Sequence, residues 1–106
     1  MMTIKPWDVW WAEVRFEDSP TVKRRPVVVT SAGDVYVLAL KVTSHAPRSM
    51  WGEYALIHWQ YAKLSKPSTV RIGKRLRLEE RDLVNKIGVL HPQDVINIQR
   101  IIAGSR

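Results

Sequence analysis

Residues 23–30 read Lys-Arg-Arg-Pro-Val-Val-Val-Thr, and residues 42–44 read Val-Thr-Ser. The first segment predicts a short strand that begins at Pro26, because the first residue of a strand needs no backbone donor. The guanidinium groups of Arg24 and Arg25 directly precede this strand. Residues 34–43 predict the next strand, apolar on both faces except at Lys41, and a tight turn at 32–34 joins the two. Antiparallel neighbours bring the start of one strand beside the end of the next. Arg25 is therefore predicted to meet the Thr43-Ser44 pair at one edge of a sheet.

Further strands are predicted on both sides of this hairpin. Residues 7–16 alternate, with Trp10 and every second residue after it on one face. Residues 53–57 and 86–90 predict short strands, and residues 78–85 a helical turn. Residues 69–78 alternate again, which predicts that Arg71, Arg75 and Arg77 form one outward-facing row.

A final helix is predicted after Pro92, where the missing N–H costs nothing. Its Val95, Ile98 and Ile102 fall on one apolar stripe that suits docking on a sheet. The chain of 106 residues shows no repeat or linker, so residues 1–106 are predicted to be one domain. The expected fold is mainly β with a C-terminal α-helix, a small barrel or a strongly bent antiparallel sheet.

The net charge of +7 lies almost entirely in the second half of the chain. Residues 54–106 hold ten basic and four acidic side chains, a balance of +6, whereas residues 1–53 hold seven and six, a balance of +1. Such a basic half favours a polyanionic partner, either a nucleic acid or an acidic protein. A soluble protein with a high pI and no such ligand remains the alternative.

Composition also excludes several classes of site. The chain has no cysteine, which rules out disulfides, thiolate metal sites and a cysteine nucleophile. The N-terminal residues lack the apolar stretch of a signal peptide, and the longest apolar run, residues 35–40, is far below the ~20 residues of a membrane helix. A cytoplasmic protein is expected.

Several short motifs, in their order along the chain, resemble those of the MazF/PemK (Kid-like) toxins of type II toxin–antitoxin systems, and most closely the PemK-like branch. The motifs are Trp7-Asp8-Val9-Trp10-Trp11, Arg25-Pro26-Val27-Val28-Val29, Leu40-Lys41-Val42-Thr43-Ser44, the segment from Tyr54 to Arg71 with Lys66-Pro67-Ser68, and Ile87-Gly88-Val89-Leu90 before Asp94. The resemblance implies an SH3-like barrel, a homodimer, and cofactor-free, metal-independent cleavage of single-stranded RNA. It also implies an antitoxin whose acidic or amphipathic tail blocks the groove.

The resemblance also implies catalytic residues. The family's arginine falls on Arg25 and its threonine on Thr43, and the acid–base arginine of the PemK-like branch falls on Arg71. The acid–base aspartate of that branch, two residues after the arginine, is Gly73 here. Either another group takes the proton, or the chain cleaves weakly or not at all.

The residue types themselves suit this chemistry, which needs a base for the 2′-hydroxyl, charge for the phosphorane and an acid for the 5′-oxygen. Arg25 suits the charge role because its planar fork binds two phosphate oxygens. Thr43 and Ser44 are expected to hold the phosphate or ribose, or else to cap backbone groups. His45 is the titrating side chain beside them and could replace the missing carboxylate, unless it is an idle loop residue.

Other side chains are candidates for RNA contact. Arg24 and the row of Arg71, Arg75 and Arg77 are expected to follow a phosphate backbone, or to keep a strand edge charged and solvated. For Arg71, contact with an antitoxin is the alternative to contact with RNA. Trp51 is placed to stack on a base. Of the other aromatic residues, Trp10 is assigned to the core and Trp11 to a groove or a dimer interface. Three scattered histidines do not make a metal site.

Three functions remain open from the sequence. The first is a sequence-specific, metal-independent endoribonuclease. The second is a non-catalytic nucleic-acid- or protein-binding module, which Gly73 favours. The third is a gyrase-inhibitor-like toxin, for which the pair Arg25 and Thr43 would have no chemical use.

Overall fold

The computed structural model of the protein describes residues 3–15, 21–47 and 52–104. These residues form one antiparallel sheet, a short 3-10 helix and a C-terminal α-helix. The strands are β1 (Asp8–Arg15), β2 (Val22–Ala32), β3 (Val37–Thr43), β4 (Glu53–Ala55), β5 (Thr69–Leu78) and β6 (Leu83–Val89), and the helices are the 3-10 helix Glu80–Asp82 and α1 (Pro92–Gly104). The sheet order is β4-β5-β3-β2-β1-β6. The mainly β fold with its C-terminal helix is therefore confirmed. Within the described residues, no helix is both long and apolar enough to cross a membrane.

The β2–β3 hairpin forms as predicted, with different bounds. Its turn is closed by a hydrogen bond from the Gly33 N–H to the Tyr36 carbonyl at 3.0 Å. β2 begins at Val22, so that Arg24 and Arg25 lie within the strand and do not precede it. The ladder of β2 with β1 explains this extension, because Ala12 pairs with Arg25 and holds it in an extended conformation.

The sheet buries apolar side chains on both faces. Leu40 and Val42 face a core that includes Ile98 of α1, and we call this side the helix face. Val27 and Ala39 face a separate core around Trp10, and we call this side the second face. β3 lies in the interior of the sheet, which agrees with its apolar character on both sides.

A bulge in β5 overturns the predicted arginine row. Leu40 pairs with Arg75, but the next residue of β3, Lys41, pairs with Arg71. Three extra residues of β5 therefore lie between these pairs, and an odd number of insertions exchanges the two faces. Arg71 faces the second face, whereas Arg75 and Arg77 point to the opposite side. Alternation within one strand cannot reveal such a shift, because the register depends on the partner strand.

A buried carboxylate holds the loop after β4 against α1. Asp94 is fully buried and accepts hydrogen bonds from the backbone N–H groups of Ile57 at 3.0 Å and His58 at 2.9 Å. It also accepts a hydrogen bond from the Tyr54 hydroxyl at 2.5 Å. The ring of His58 stacks on that of His91 at 3.9 Å, which supports a structural role for both histidines.

We predict an alkaline loss of stability that depends on Tyr54. Burial and the hydrogen bond to Asp94 raise the pKa of Tyr54 to about 12. Because the folded value exceeds the ordinary value of roughly 10, this contribution is complete below pH ~10 and disappears as the pH rises through about 12. Thermal unfolding followed by circular dichroism should show a steeper fall in Tm across this range for the wild type than for Tyr54→Phe. The exposed Tyr61→Phe should keep the wild-type slope, and parallel profiles for wild type and Tyr54→Phe would contradict the prediction.

Candidate active site

A cavity of about 340 Å³ opens where β1, β2 and β3 meet the loop before β5. It is lined by Trp11, Arg24, Arg25, Pro26, Val42, Thr43, Ser44, Lys63, Leu64, Ser65, Lys66, Ser68 and Ile87. Four predicted site residues therefore meet at one place, namely Arg24, Arg25, Thr43 and Ser44. Their catalytic and binding roles remain predictions.

Arg25 and Thr43 are brought together by the β2–β3 register. Val27 pairs with Lys41, and continuing the antiparallel ladder by two residues places Arg25 level with Thr43. Both side chains are half-buried, so solvent reaches them. The Nε atom of Arg25 is buried and has no hydrogen-bond partner among the described residues. A buried donor without a partner is costly, and such donors are rare outside functional sites.

Thr43 ends β3 and partly fulfils a capping role. Its Oγ1 accepts a hydrogen bond from the backbone N–H of His45 at 3.3 Å. Since a hydroxyl both accepts and donates, the Thr43 proton can still be donated to a phosphate oxygen. Capping at the strand end thus fixes the hydroxyl without preventing contact with a ligand.

Arg71 lies beside the cavity and not in its wall. It pairs with Glu53 of β4, and its Nε lies 3.4 Å from Glu53 Oε2 without hydrogen-bond geometry. On its other side it pairs directly with Lys41 of β3. Arg71 therefore shares the second face of the sheet with Lys41, Thr43 and Arg25.

The sequence reasoning missed Lys41, which is absent from the cavity wall but lies on the second face beside Arg25, Thr43 and Arg71. It is half-buried, and burial together with the charges of Arg71, Arg25 and Lys74 lowers its pKa below the ordinary value. The signal in the sequence was the one charged residue in an otherwise apolar strand.

The cavity wall contains further cationic and apolar residues that were not predicted. Lys63 and Lys66 come from the loop before β5 and add positive charge, while Leu64 and Ile87 add apolar surface beside Trp11. Half-exposed Trp11 thus lies in a groove, as one of its two interpretations proposed. The lysines lie in an irregular turn, where periodicity gives no direction for a side chain.

Several predicted site residues lie elsewhere. His45 is exposed and absent from the cavity wall, and its carbonyl accepts a hydrogen bond from Thr69 Oγ1 at 2.6 Å. The guanidinium of Arg77 lies over the Tyr36 ring at 4.0 Å from its centroid, away from the cavity. Arg75 is exposed and also absent from the wall, and Trp51 lies outside the described residues. Among residues 3–15, 21–47 and 52–104, no three histidine, aspartate or glutamate side chains come together as metal ligands.

Solved structures share this fold. The Mycobacterium tuberculosis toxin MazF-mt6 matches with a TM-score of 0.70 and 20% identity over 91% of this chain and 92% of its own. An endoribonuclease in complex with its cognate antitoxin from Mycobacterial species matches with a TM-score of 0.73 and 15% identity, over 95% and 92% respectively. The protein thus has the fold of the MazF toxins.

The sequence itself establishes the family. The model of the PemK-like, MazF-like toxins of type II toxin–antitoxin systems matches residues 5–105, and the chain belongs to this family. The resemblance found in the sequence motifs is therefore confirmed. A search of curated proteins finds no match to the chain.

We predict that Gly88→Ala disturbs one wall of the cavity. A Cβ atom at Gly88 would collide with the backbone carbonyl of Ala62, which precedes Lys63 and Leu64 of the wall. Since the obstacle is backbone, relief requires displacement of this loop, at a cost of about 1–3 kcal/mol in the free energy of unfolding. Urea denaturation measures the loss. Gly104→Ala is the matched control, because apart from its chain neighbours and the backbone of its own helix no atom of residues 3–15, 21–47 and 52–104 lies within 4 Å of the added Cβ. Equal stability of the two variants would contradict the prediction.

Proposed function

We propose that the protein is a sequence-specific endoribonuclease that cleaves single-stranded RNA without a metal ion. The observation that carries the proposal is that Arg25 and Thr43 line one solvent-reached cavity, and that the buried Nε of the arginine has no hydrogen-bond partner in the part of the chain that the structure describes. Family membership supports the same function. A toxin of this kind would act on RNA in the cytoplasm.

The proposed reaction is an internal transesterification. The 2′-oxygen attacks the adjacent phosphorus, the bond from phosphorus to the 5′-oxygen breaks, and the products are a 2′,3′-cyclic phosphate and a 5′-hydroxyl. Arg25 stabilises the charge that develops on the phosphorane, and Thr43 donates a hydrogen bond that positions the phosphate. Arg71 adds positive charge from beside the cavity but is a poor proton donor, because a guanidinium stays protonated.

The rest of the cavity would bind the flanking nucleotides. Trp11 offers a face on which an unpaired base can stack. Arg24, Lys63 and Lys66 surround this wall and would contact phosphates. Ser44 would support the same phosphate as Thr43.

We further propose a homodimer and a cognate antitoxin as partners. The support is family membership and the structural neighbour that was solved with its own antitoxin. A cationic cavity is also complementary to an acidic tail. Such a tail would inhibit cleavage by occupying the positions of the RNA phosphates.

The central prediction is the loss of cleavage in Arg25→Ala. Purified protein is incubated in EDTA with RNA of mixed sequence, and the products are separated on a denaturing gel. Removal of a group that stabilises the phosphorane should lower the rate about 10²–10³-fold. Arg25→Lys should also be impaired, because an ammonium lacks the bidentate fork.

Arg100→Ala, which removes an exposed arginine on α1, is the control and should cleave at the wild-type rate. Circular dichroism of Arg25→Ala should match that of the wild type, and a melted spectrum would assign Arg25 to structure. Wild-type protein that binds RNA but leaves it intact would instead support the non-catalytic module that Gly73 favours. Untouched RNA with inhibition of DNA supercoiling would support a gyrase inhibitor.

Salt dependence should identify the phosphate contacts of the cavity wall. Binding of a labelled 2′-deoxy oligonucleotide, which lacks the nucleophile, is measured by fluorescence anisotropy at increasing salt. Lys66→Met should reduce the slope of log K against log salt by about 0.7, the value for one phosphate contact on a single strand. The exposed Lys5→Met should keep the slope, and an unchanged slope in Lys66→Met would exclude Lys66 from the binding surface.

A further inference from the structure

We propose that Lys41 is the general acid of the RNA cleavage, donating a proton to the departing 5′-oxygen. The assignment rests on the proposed ribonuclease function and names a proton donor on this face of the sheet, while water takes over the accepting role of the carboxylate missing at Gly73. It is carried by the position of Lys41 on the sheet relative to Arg25, Thr43 and Arg71.

The strand register places Lys41 at the centre of these three residues. Lys41 pairs directly with Arg71, and side chains of such pairs have Cβ atoms about 4.5–5.5 Å apart. On its other side Lys41 pairs with Val27, so Arg25 is its diagonal neighbour, within reach of a long side chain. Thr43 follows two residues later on the same strand and the same face. A phosphate held by Arg25 and Thr43 is therefore next to Lys41.

The charges around Lys41 suit a proton donor. Cations face it from both neighbouring strands, Arg25 from β2 and Arg71 with Lys74 from β5, while Glu53 of β4 lies beyond Arg71 as the carboxylate of this group. Burial, followed by the charges of Arg71, Arg25 and Lys74, lowers the pKa of the ammonium. A lower pKa makes the ammonium a stronger acid, closer to the range in which general acids are efficient.

The proton balance of the step is complete. As the bond between phosphorus and the 5′-oxygen breaks, that oxygen takes a proton from the Lys41 ammonium and leaves as a hydroxyl. The 2′-hydroxyl proton passes to water as the new bond between the 2′-oxygen and phosphorus forms. The neutral amine then regains a proton from solvent. Arginine at the same position would keep the charge but could not supply the proton.

The test compares two substrates that differ only in the leaving atom. One is a short RNA with a normal 5′-oxygen at the cleavage site, mapped first with the wild type, and the other has a bridging 5′-sulfur there. A thiolate leaves without protonation, so loss of the acid should affect the oxygen substrate alone. Lys41→Met and Lys41→Arg should each lower kcat/KM about 100-fold on the oxygen substrate, within the range for general acid catalysis, and less than about threefold on the sulfur substrate. Arg25→Ala should impair cleavage of both substrates.

Lys74→Met is the matched control, since it also removes one positive charge near the site but from an exposed lysine. It should lower the rate on the oxygen substrate only slightly, because Lys74 is the smallest of the causes that lower the pKa of Lys41, and it should leave the ratio of the two rates close to that of the wild type. For the wild type on the oxygen substrate, kcat/KM should also fall as the pH rises, because the Lys41 ammonium loses its proton. The midpoint of this fall should lie below the ordinary lysine pKa of about 10.4, since the pKa of Lys41 is lowered. This alkaline limb should be absent with the sulfur substrate.

The outcomes separate the two levels of the proposal. Equal losses on both substrates in folded Lys41→Met and Lys41→Arg would make Lys41 a phosphate-binding residue and overturn its role as the acid. Unchanged rates in these variants would overturn it as well. Wild-type protein that cleaves neither substrate would overturn the ribonuclease function, and the role of Lys41 with it.

Discussion

The register of β3 against β2 and β5 is the constraint on which the site depends. β3 supplies Thr43 and pairs with both neighbours, so it brings Arg25 from one side and Arg71 from the other to a single face of the sheet. Arg25, Thr43 and Arg71 lie on three different strands, so only the pairing of those strands can bring them together. A slip of one residue in either ladder would send the cationic side chains to the helix face, into the core beneath α1. Because β3 is apolar on both sides except at Lys41, such a slip is opposed mainly by the cost of burying the Lys41 charge in that core.

Placing several cations on one face of the sheet lowers the stability of the fold at that place. Like charges directly opposite each other, such as Lys41 and Arg71, destabilise a strand pair. The buried Nε of Arg25 and that of Arg71 also lack hydrogen bonds among the described residues. Glu53 offsets part of this cost through its contact with Arg71. Departures from good packing of this kind concentrate at functional sites, where a ligand supplies the missing contacts. An RNA phosphate would supply both the negative charge and the acceptor oxygens.

The hairpin and the meeting of Arg25 with Thr43 were predictable from the sequence, because turn residues and apolar runs fix an antiparallel pair locally. The docking stripe of α1 was predictable for a similar reason, and Ile98 is indeed fully buried in the core below it. The sequence could not predict that Arg71 and Arg75 lie on opposite faces of the sheet, since a bulge depends on the pairing of two strands and alternation describes only one. The lysines of the cavity wall were also beyond reach, because they come from an irregular loop. Lys41 was visible as a charged residue in an apolar strand, but the sequence could not show that it pairs with Arg71 and lies on the same face as Arg25 and Thr43.

Gly73 follows Arg71 by two residues on β5, whereas Lys41 pairs with Arg71 from β3. The carboxylate that the family resemblance implies at position 73 and the lysine at position 41 have opposite acid–base chemistry. A carboxylate beside an arginine is held in its ionised form, which suits it to accept a proton. An ammonium beside an arginine is pushed towards its neutral form, which suits it to give a proton away. Replacing a carboxylate with a lysine across the strand would therefore move the assisted step from activation of the 2′-hydroxyl to departure of the 5′-oxygen. In the proposed reaction the cationic face would hold the phosphorane, while water would receive the proton of the nucleophile. On this proposal Gly73 would not mark the loss of catalysis, because proton transfer would take place on β3, the strand that also carries Thr43.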